Sequence, residues 1–210
     1  HAPPRLCANC TYRRTLGHIT EPMKISLYLL LIIVLSSSCY CQKGNYKNYT
    51  QKLESIIKEK EIDTNNLVFA IDKSDYKLSI LIDTVILKEY PVVFGKNPLD
   101  DKLMQGDNCT PEGIFIMNSK YPHKKWSKFI WINYPTKDSW NKHTTAIQLG
   151  KIPQNAKIGG EIGIHGVPDK MDFIIDIRYN WTLGCISMKN KDVEEIYQYV
   201  NKKSLIVITR

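Results

Sequence analysis

Hydrophobic residues along the chain follow two different periods, and the change from one to the other divides the sequence. Within 48–61, the apolar residues Leu53, Ile56 and Ile57 recur at the spacing of one helix face among Lys and Glu, which predicts a short amphipathic helix. From Leu67 onward, runs rich in Val, Ile, Leu and Tyr are separated by Gly, Pro, Asn and Asp clusters, the pattern of strands and turns. The strand candidates are 67–73, 77–83, 85–94, 113–117, 129–134, 161–165 and 205–209.

A second helical pattern lies near the end of the chain, shortly after Cys185. Asn190 is placed to cap it, and an apolar stripe follows at helical spacing. The stripe consists of Val193, Ile196, Tyr197 and Val200. The pattern as a whole predicts a fold that is mainly β with α (α+β): a β-sandwich or open barrel with a short N-terminal helix and one helix after the turn that carries Cys185.

Composition and charge narrow the class of protein. The 210 residues are 43% hydrophobic and 24% charged, which suits one globular domain with an N-terminal appendage. The formal net charge is +8, but Lys and Arg are spread along the chain. Nucleic-acid binding therefore has little support, and a basic protein near an anionic polymer or a membrane surface is the simpler interpretation.

The N-terminal region has the composition of an export signal. Lys24 follows Met23 and precedes an apolar run over 25–35, which has the length of a signal peptide and is too short to span a bilayer. We expect 1–22 to be an over-extended upstream segment, 23–41 a signal peptide, 42–66 a helical lead-in and 67–210 the folded domain. The expected location is outside the cytoplasm, in the periplasm or cell envelope.

Two cleavage positions are open. Cleavage before Cys39 gives a lipoprotein attached to the membrane through a lipidated Cys39, although Ser36 is a poor match to the aliphatic residue usual at that spacing. Cleavage before Gln42 gives a soluble product.

Cysteine usage does not imply a disulfide framework. Of the six cysteines, only Cys109 and Cys185 lie in the expected folded domain. The others are Cys7, Cys10, Cys39 and Cys41. A Cys-x-x-Cys pair at positions 7 and 10 is weak support for a redox or metal site without a second pair.

Two short segments concentrate residues with chemical potential: 161–166, which ends in His165-Gly166, and 181–188, which contains Gly184-Cys185. A thiol attacks an amide as the thiolate, so a neighbouring imidazole is needed to take its proton and later to protonate the leaving amine. Gly166 lets a main-chain carbonyl approach the imidazole and fix its tautomer. Backbone N–H groups around Gly184 can stabilise an oxyanion.

These residues resemble the L,D-transpeptidase catalytic domain, the YkuD-like family, whose signature is a His, a spacer, Ser or Thr, usually His, and then Gly-Cys. Here His165 is followed, after 166–181, by Thr182, Leu183, Gly184 and Cys185. A second block over 106–113, Gly-Asp-Asn-Cys-Thr-Pro-Glu-Gly, is similar to the family's Gly-Asp-x-x-Thr-Pro-x-Gly stretch.

The resemblance implies a cysteine nucleophile, Cys185, with His165 as base and with Gly166 and Gly184 in the catalytic turns. It also implies that peptidoglycan stem peptides are the partners, that no metal or cofactor takes part, and that the donor is cut between meso-diaminopimelate and D-alanine. The acceptor is open: an amine makes the enzyme a transpeptidase, and water makes it a carboxypeptidase or endopeptidase. We expect a monomer.

Substrate-binding residues are expected beside the nucleophile, at Thr182, Leu183 and Trp181. Leu183 replaces the family's usual second His, and Ser187 replaces the usual Arg or Asn. Arg178 is the nearest replacement for substrate-carboxylate recognition, because its guanidinium forks onto carboxylates.

Three other interpretations are open. The domain is a non-catalytic wall-binding module, Cys185 is a buried structural thiol, or His165 and Cys185 bind zinc with His143 or Cys109. We expect His123 and His143 to be solvated surface residues and Cys109 to be a free thiol without a role.

Overall fold

Eight strands close into a barrel. The computed structural model describes residues 45–210, so the expected upstream segment, the signal peptide and Cys39 lie outside the described residues. Around the barrel the strands run in the order β1-β2-β3-β7-β6-β5-β4-β8, with the last paired to the first. They are β1 Val68–Asp72, β2 Lys77–Ile82, β3 Val85–Val93, β4 Gly113–His123, β5 Ser127–Ile132, β6 Gly163–His165, β7 Ile186–Met188 and β8 Leu205–Thr209.

The predicted fold class, mainly β with α, is confirmed. The barrel is closed rather than open, because each of these eight strands pairs on both sides and none is left as an edge. Six of the pairings are antiparallel, whereas β1 with β8 and β6 with β7 are parallel. The β6–β7 pairing matters for function, since β6 ends at His165 and β7 begins just after Cys185.

Four α-helices accompany the barrel in the described residues: α1 Leu53–Glu59, α2 Lys137–Gln148, α3 Phe173–Asp176 and α4 Asn190–Tyr197. The predicted N-terminal helix and the predicted helix after Cys185 correspond to α1 and α4. The expected cap was wrong: Lys189 occupies the N-cap position of α4, and Asn190 is the first helical residue.

Helix α2 was not predicted, and its sequence shows why. Two of its three buried residues, Ser139 and His143, are polar, and only Ala146 is apolar, so no hydrophobic stripe marks the helix. Its start is fixed by a capping box, in which Thr136 and Ser139 satisfy each other's backbone N–H groups.

Glu195 joins α1, α4 and the barrel. Its carboxylate accepts hydrogen bonds from the Leu53 N–H at 2.7 Å, the Lys88 Nζ at 2.7 Å and the Tyr90 hydroxyl at 2.9 Å. The lead-in helix is thereby attached to the outer side of β3. Within residues 45–210, no helix is long and apolar enough to cross a membrane.

Candidate active site

The parallel pairing of β6 and β7 places Cys185 and His165 on the same face of the sheet. His165 is paired with Ser187, and Ile164 with Ile186. Paired residues on neighbouring strands point to the same face, and so do residues two apart along a strand. Cys185 precedes Ser187 by two positions, so the thiol and the imidazole face the same side of the sheet.

The imidazole of His165 is held by the backbone of the next residue. Its Nδ1 lies 2.7 Å from the carbonyl oxygen of Gly166, which also accepts a hydrogen bond from the Ser187 hydroxyl at 3.2 Å. Because a carbonyl only accepts, Nδ1 carries the proton and Nε2 is left as the acceptor. The main-chain carbonyl thus has the orienting position that the sequence predicted for it.

Aromatic rings enclose His165 on several sides. Trp126 stacks on the imidazole with centroids 4.5 Å apart, and Phe129 stacks at 5.5 Å. Trp181 meets the ring edge-on, also at 5.5 Å. This packing leaves His165 only 2% exposed, which fixes its orientation and removes it from water.

Burial also sets the protonation state of the imidazole. It lowers the pKa of His165 from 6.5 to about 4, while the Gly166 carbonyl acts in the opposite direction. The nearby His123 contributes to the decrease. The ring is therefore neutral near pH 7, the state in which Nε2 can accept a proton.

Cys185 is a half-buried thiol at the wall of the cavity described below. Its Sγ–H donates to the carbonyl oxygen of Glu161 at 3.4 Å. Burial raises the pKa of the Cys185 thiol to about 11, whereas the Gly163 backbone and the charge of Lys102 favour the thiolate. In the free protein the thiol is protonated and hydrogen-bonded to Glu161, and not to His165.

The turn before Cys185 is stabilised by Thr182. Its hydroxyl donates to the Cys185 carbonyl oxygen at 2.7 Å and accepts from the Gly184 N–H at 3.2 Å. Gly184 adopts φ +141°, and a Cβ there would approach the carbonyl oxygen of Cys109 to 2.7 Å, so glycine is required. The Gly184 amide already has an acceptor. Within the described residues, the backbone N–H groups of Leu183 and Cys185 donate to no acceptor.

The Gly-Asp-x-x-Thr-Pro block packs behind this turn. Besides the contact of Cys109 with Gly184, the Thr110 hydroxyl accepts a hydrogen bond from the Gly95 N–H at 3.1 Å. Gly95 forms an isolated β-bridge with Thr182. The second sequence block therefore packs against the turn that precedes Cys185.

A cavity of about 900 Å³ opens in front of Cys185 and His165. Its lining is largely aromatic and glycine-rich, with Lys102 and Glu161 as its charged residues. The volume lies within the range of small-ligand sites and suits a short peptide. Of the residues predicted from sequence, the lining includes Cys185, His165, Trp181, Thr182 and Leu183.

Arg178 does not lie in the lining of this cavity. Its guanidinium sits 5.0 Å from the centre of the Tyr76 ring, and Arg178 itself has φ +54° just after α3. Ser187 offers no replacement for the usual Arg or Asn, because it is fully buried and bonded to Gly166. Of the predicted substrate-binding set, Arg178 is the residue that the fold keeps apart.

The expectation that His143 is solvated was wrong, since it is 4% exposed and its Nδ1 lies 2.6 Å from the Leu103 carbonyl oxygen. His123 is half-buried and stacks on Trp126 at 4.4 Å. Cys109 is a buried free thiol that donates to the Asp107 carbonyl oxygen. In the part of the chain that the structure describes, no group of three or more His, Cys, Asp or Glu side chains is arranged to hold a metal ion.

Three contributors to the site had no distinctive sequence signal. Nothing in the sequence connects Trp126 with His165. Glu161 contributes a carbonyl rather than its side chain, and Lys102 lies far from the motif in sequence. The Gly106-Asp107 pair that opens the second sequence block, four residues after Lys102, is the nearest signal that could have drawn attention to it.

Comparison with protein families identifies the family of this domain. Residues 67–208 match the family described as the L,D-transpeptidase catalytic domain, YkuD, which is more than half of the 210 residues. The chain belongs to this family, as its motifs predicted. A comparison with curated proteins found no significant match.

Solved structures include proteins of similar fold. The helical cell shape determining protein Pgp2 from Campylobacter jejuni shares 22% identity at a TM-score of 0.52, over 76% of this chain and 55% of that chain. Bd1075 from Bdellovibrio bacteriovorus shares 22% identity at a TM-score of 0.49, over 69% of this chain and 48% of that chain. An L,D-transpeptidase from Mycobacterium smegmatis shares 14% identity at a TM-score of 0.45, over 69% of this chain and 59% of that chain. The chain thus spans only about half of the length of these proteins.

Proposed function

We propose that the protein is a cysteine-dependent L,D-transpeptidase of cell-wall remodelling. It forms an acyl-enzyme on Cys185 with the stem tetrapeptide of peptidoglycan and passes the acyl group to an amine or to water. The observation that carries the proposal is that His165 ends β6, Cys185 immediately precedes β7, the parallel partner of β6, and both residues line one cavity of about 900 Å³. Family membership gives the chemical class.

Acylation begins when the thiol turns from Glu161 toward the imidazole. The Cys185 Sγ–H proton moves to Nε2 of His165 as the sulfur bonds to the carbonyl carbon of diaminopimelate, and the π electron pair moves to the carbonyl oxygen. The two charges that this transfer creates attract each other, which offsets part of the cost of charging two buried groups. The Gly166 carbonyl stabilises the imidazolium through Nδ1.

The tetrahedral oxyanion is stabilised by backbone amides. The N–H groups of Leu183 and Cys185 are available, while that of Gly184 already donates to Thr182. When the intermediate collapses, the C–N bond breaks and His165 gives its proton to the leaving D-alanine amine. The acyl group is left as a thioester on Cys185.

The acceptor determines the outcome of the second half-reaction. A second stem peptide gives a 3-3 cross-link, a protein lysine gives anchoring, and water gives carboxypeptidase or endopeptidase activity. In each case His165 removes a proton from the attacking group, and the thioester C–S bond breaks. The substrate implies an exported protein acting in the periplasm or cell envelope, which agrees with the signal-like pattern of 23–41.

One observation favours a second function, a non-catalytic wall-binding module. The thiol rests on the Glu161 carbonyl, and burial raises its pKa to about 11. A module that has kept the cavity but lost turnover would bind stem peptides without forming a thioester.

Product analysis tests the proposal and separates the two functions. The full chain is incubated with a disaccharide tetrapeptide, and the products are analysed by liquid chromatography and mass spectrometry. Loss of D-alanine, with dimer formation or with tripeptide release, is the expected result and identifies the acceptor. Unchanged substrate that nevertheless binds in a calorimetric titration would support the binding module instead.

A further inference from the structure

Lys102 brings a positive charge to the wall of the catalytic cavity. Among the lining residues, all of which lie in the described part of the chain, it is the one Lys or Arg, and Glu161 is the one Asp or Glu. The Lys102 side chain is only 3% exposed. A buried ammonium is costly unless a partner is present, so its hydrogen bonds indicate what it can still bind.

These hydrogen bonds leave one N–H donor of the Lys102 ammonium without an acceptor among the described residues. Its Nζ donates to Asp107 Oδ1 at 2.8 Å and to the Met104 carbonyl oxygen at 3.1 Å. An ammonium group has three N–H donors, and no third acceptor is present among the described residues. Lys73, an equally buried lysine outside the cavity, has acceptors for all three of its donors.

Asp107 holds Lys102 in position without using up its charge. Burial opposes ionisation of Asp107, but hydrogen bonds from Lys102 and from three backbone amides hold its pKa below the usual value. These amides belong to Leu103, Met104 and Cys109, at 2.8 to 3.0 Å. The Asp107 carboxylate is therefore shared among four donors, and the Lys102 ammonium, with one N–H donor unused, can still attract a second anion.

We infer that Lys102 binds a carboxylate of the donor stem peptide and gives the cavity its preference for anionic substrates. This inference rests on the proposed function. The family's usual Arg or Asn after the nucleophile is replaced by the buried Ser187, and Arg178 stacks on Tyr76 outside the lining. Lys102 supplies the missing charge from a different segment, as a compact point charge rather than a fork.

A chemical probe tests the charge without requiring turnover. Cys185 in the full chain is alkylated with iodoacetate, which is anionic, and with iodoacetamide, which is neutral, and the rate at Cys185 is followed by peptide mapping. The ratio of the two rates cancels the thiolate fraction, so it reports the attraction of the cavity for a carboxylate. Lys102→Met should lower the ratio about fivefold.

Matched variants separate this effect from loss of a buried ion pair. Lys73→Met also removes a buried lysine with a carboxylate partner, Glu112 at 2.7 Å, and should leave the ratio at the wild-type value. Lys102→Arg keeps the charge and should keep the ratio. Lys102→Gln, which can still donate to Asp107, serves if Lys102→Met does not fold. A ratio that stays at the wild-type value in a folded variant without charge at 102 would overturn the inference.

Substrate kinetics give the second arm. With a tetrapeptide carrying free carboxylates, Lys102→Met should raise KM about tenfold with a smaller change in kcat. With the amidated peptide, the KM of the variant should equal that of the wild type. An equal rise in KM for both peptides would mean that Lys102 only supports the fold, which contradicts the inference. Absence of turnover in the wild type would count against the proposed function, while the alkylation ratio would still decide the role of Lys102.

Discussion

Gly166 lies where three parts of the site converge. Its carbonyl orients His165, its N–H donates to the Trp126 carbonyl oxygen at 3.0 Å, and the Asn190 side chain packs against its Cα. A Cβ at this position would overlap both the Asn190 Oδ1 and the Trp126 carbonyl oxygen. The lack of a side chain is thus a steric requirement of the loop after the base.

Gly166→Ala should therefore lower the free energy of unfolding by about 2 kcal/mol, because backbone atoms and a hydrogen-bonded side chain must shift. Urea denaturation followed by circular dichroism measures the change. Gly160→Ala is the matched control from the same cavity, since a Cβ at Gly160 meets nothing within 4 Å. Equal stability of the two variants would contradict the packing described here.

The buried imidazole predicts how stability depends on pH. The pKa of His165 is about 4 in the folded protein against 6.5 ordinarily, so between these values the unfolded chain binds a proton that the folded protein does not. Stability should fall as pH decreases from about 6.5 to about 4. At pH 5 this loss is about 2 kcal/mol relative to pH 7.

Urea unfolding of the wild type and of His165→Gln at pH 7 and pH 5 isolates the contribution of this residue, because all other titrating groups are common to both. The wild type should lose more stability than the variant. Parallel losses would mean that His165 stays accessible to protons in the folded state.

Sequence patterns located β1, β2 and β3, but they covered only 113–117 of β4 and missed β7, α3 and the polar helix α2. β1, β2 and β3 are amphipathic or apolar runs between turn residues, and they appear within a residue or two of the predicted bounds. β7 has three residues and α3 has four, too few to show a period. Tertiary pairing determines both, which a single sequence does not reveal.

Some residues of the candidate site could likewise be predicted from the sequence, and others could not. Cys185, His165, Gly166 and Gly184 could be predicted because their chemistry requires particular residue types at short spacings. Lys102 reaches the cavity only because closure of the barrel brings its loop beside the turn of the nucleophile. The Arg178 expectation relied on closeness in sequence, and stacking on Tyr76 places its guanidinium elsewhere.

In the molecule as a whole, the closed barrel is the frame that carries the candidate site. Cys185 lies just before β7 and His165 ends β6, the Gly-Asp-x-x-Thr-Pro block packs against the turn before Cys185, and aromatic rings cover the imidazole. Function is thereby concentrated at loops positioned by a rigid scaffold. Under the proposed function, Cys185 carries the acyl group.

Mass analysis of the full chain after brief incubation with a tetrapeptide muropeptide and, separately, with a carbapenem tests this claim most directly. A covalent adduct should form on the wild type and on Cys109→Ala, map to Cys185, and be absent from Cys185→Ala. It should form far more slowly on His165→Ala, because the base is missing. An adduct that persists in Cys185→Ala, or a folded wild type that forms none with either compound, would contradict the account.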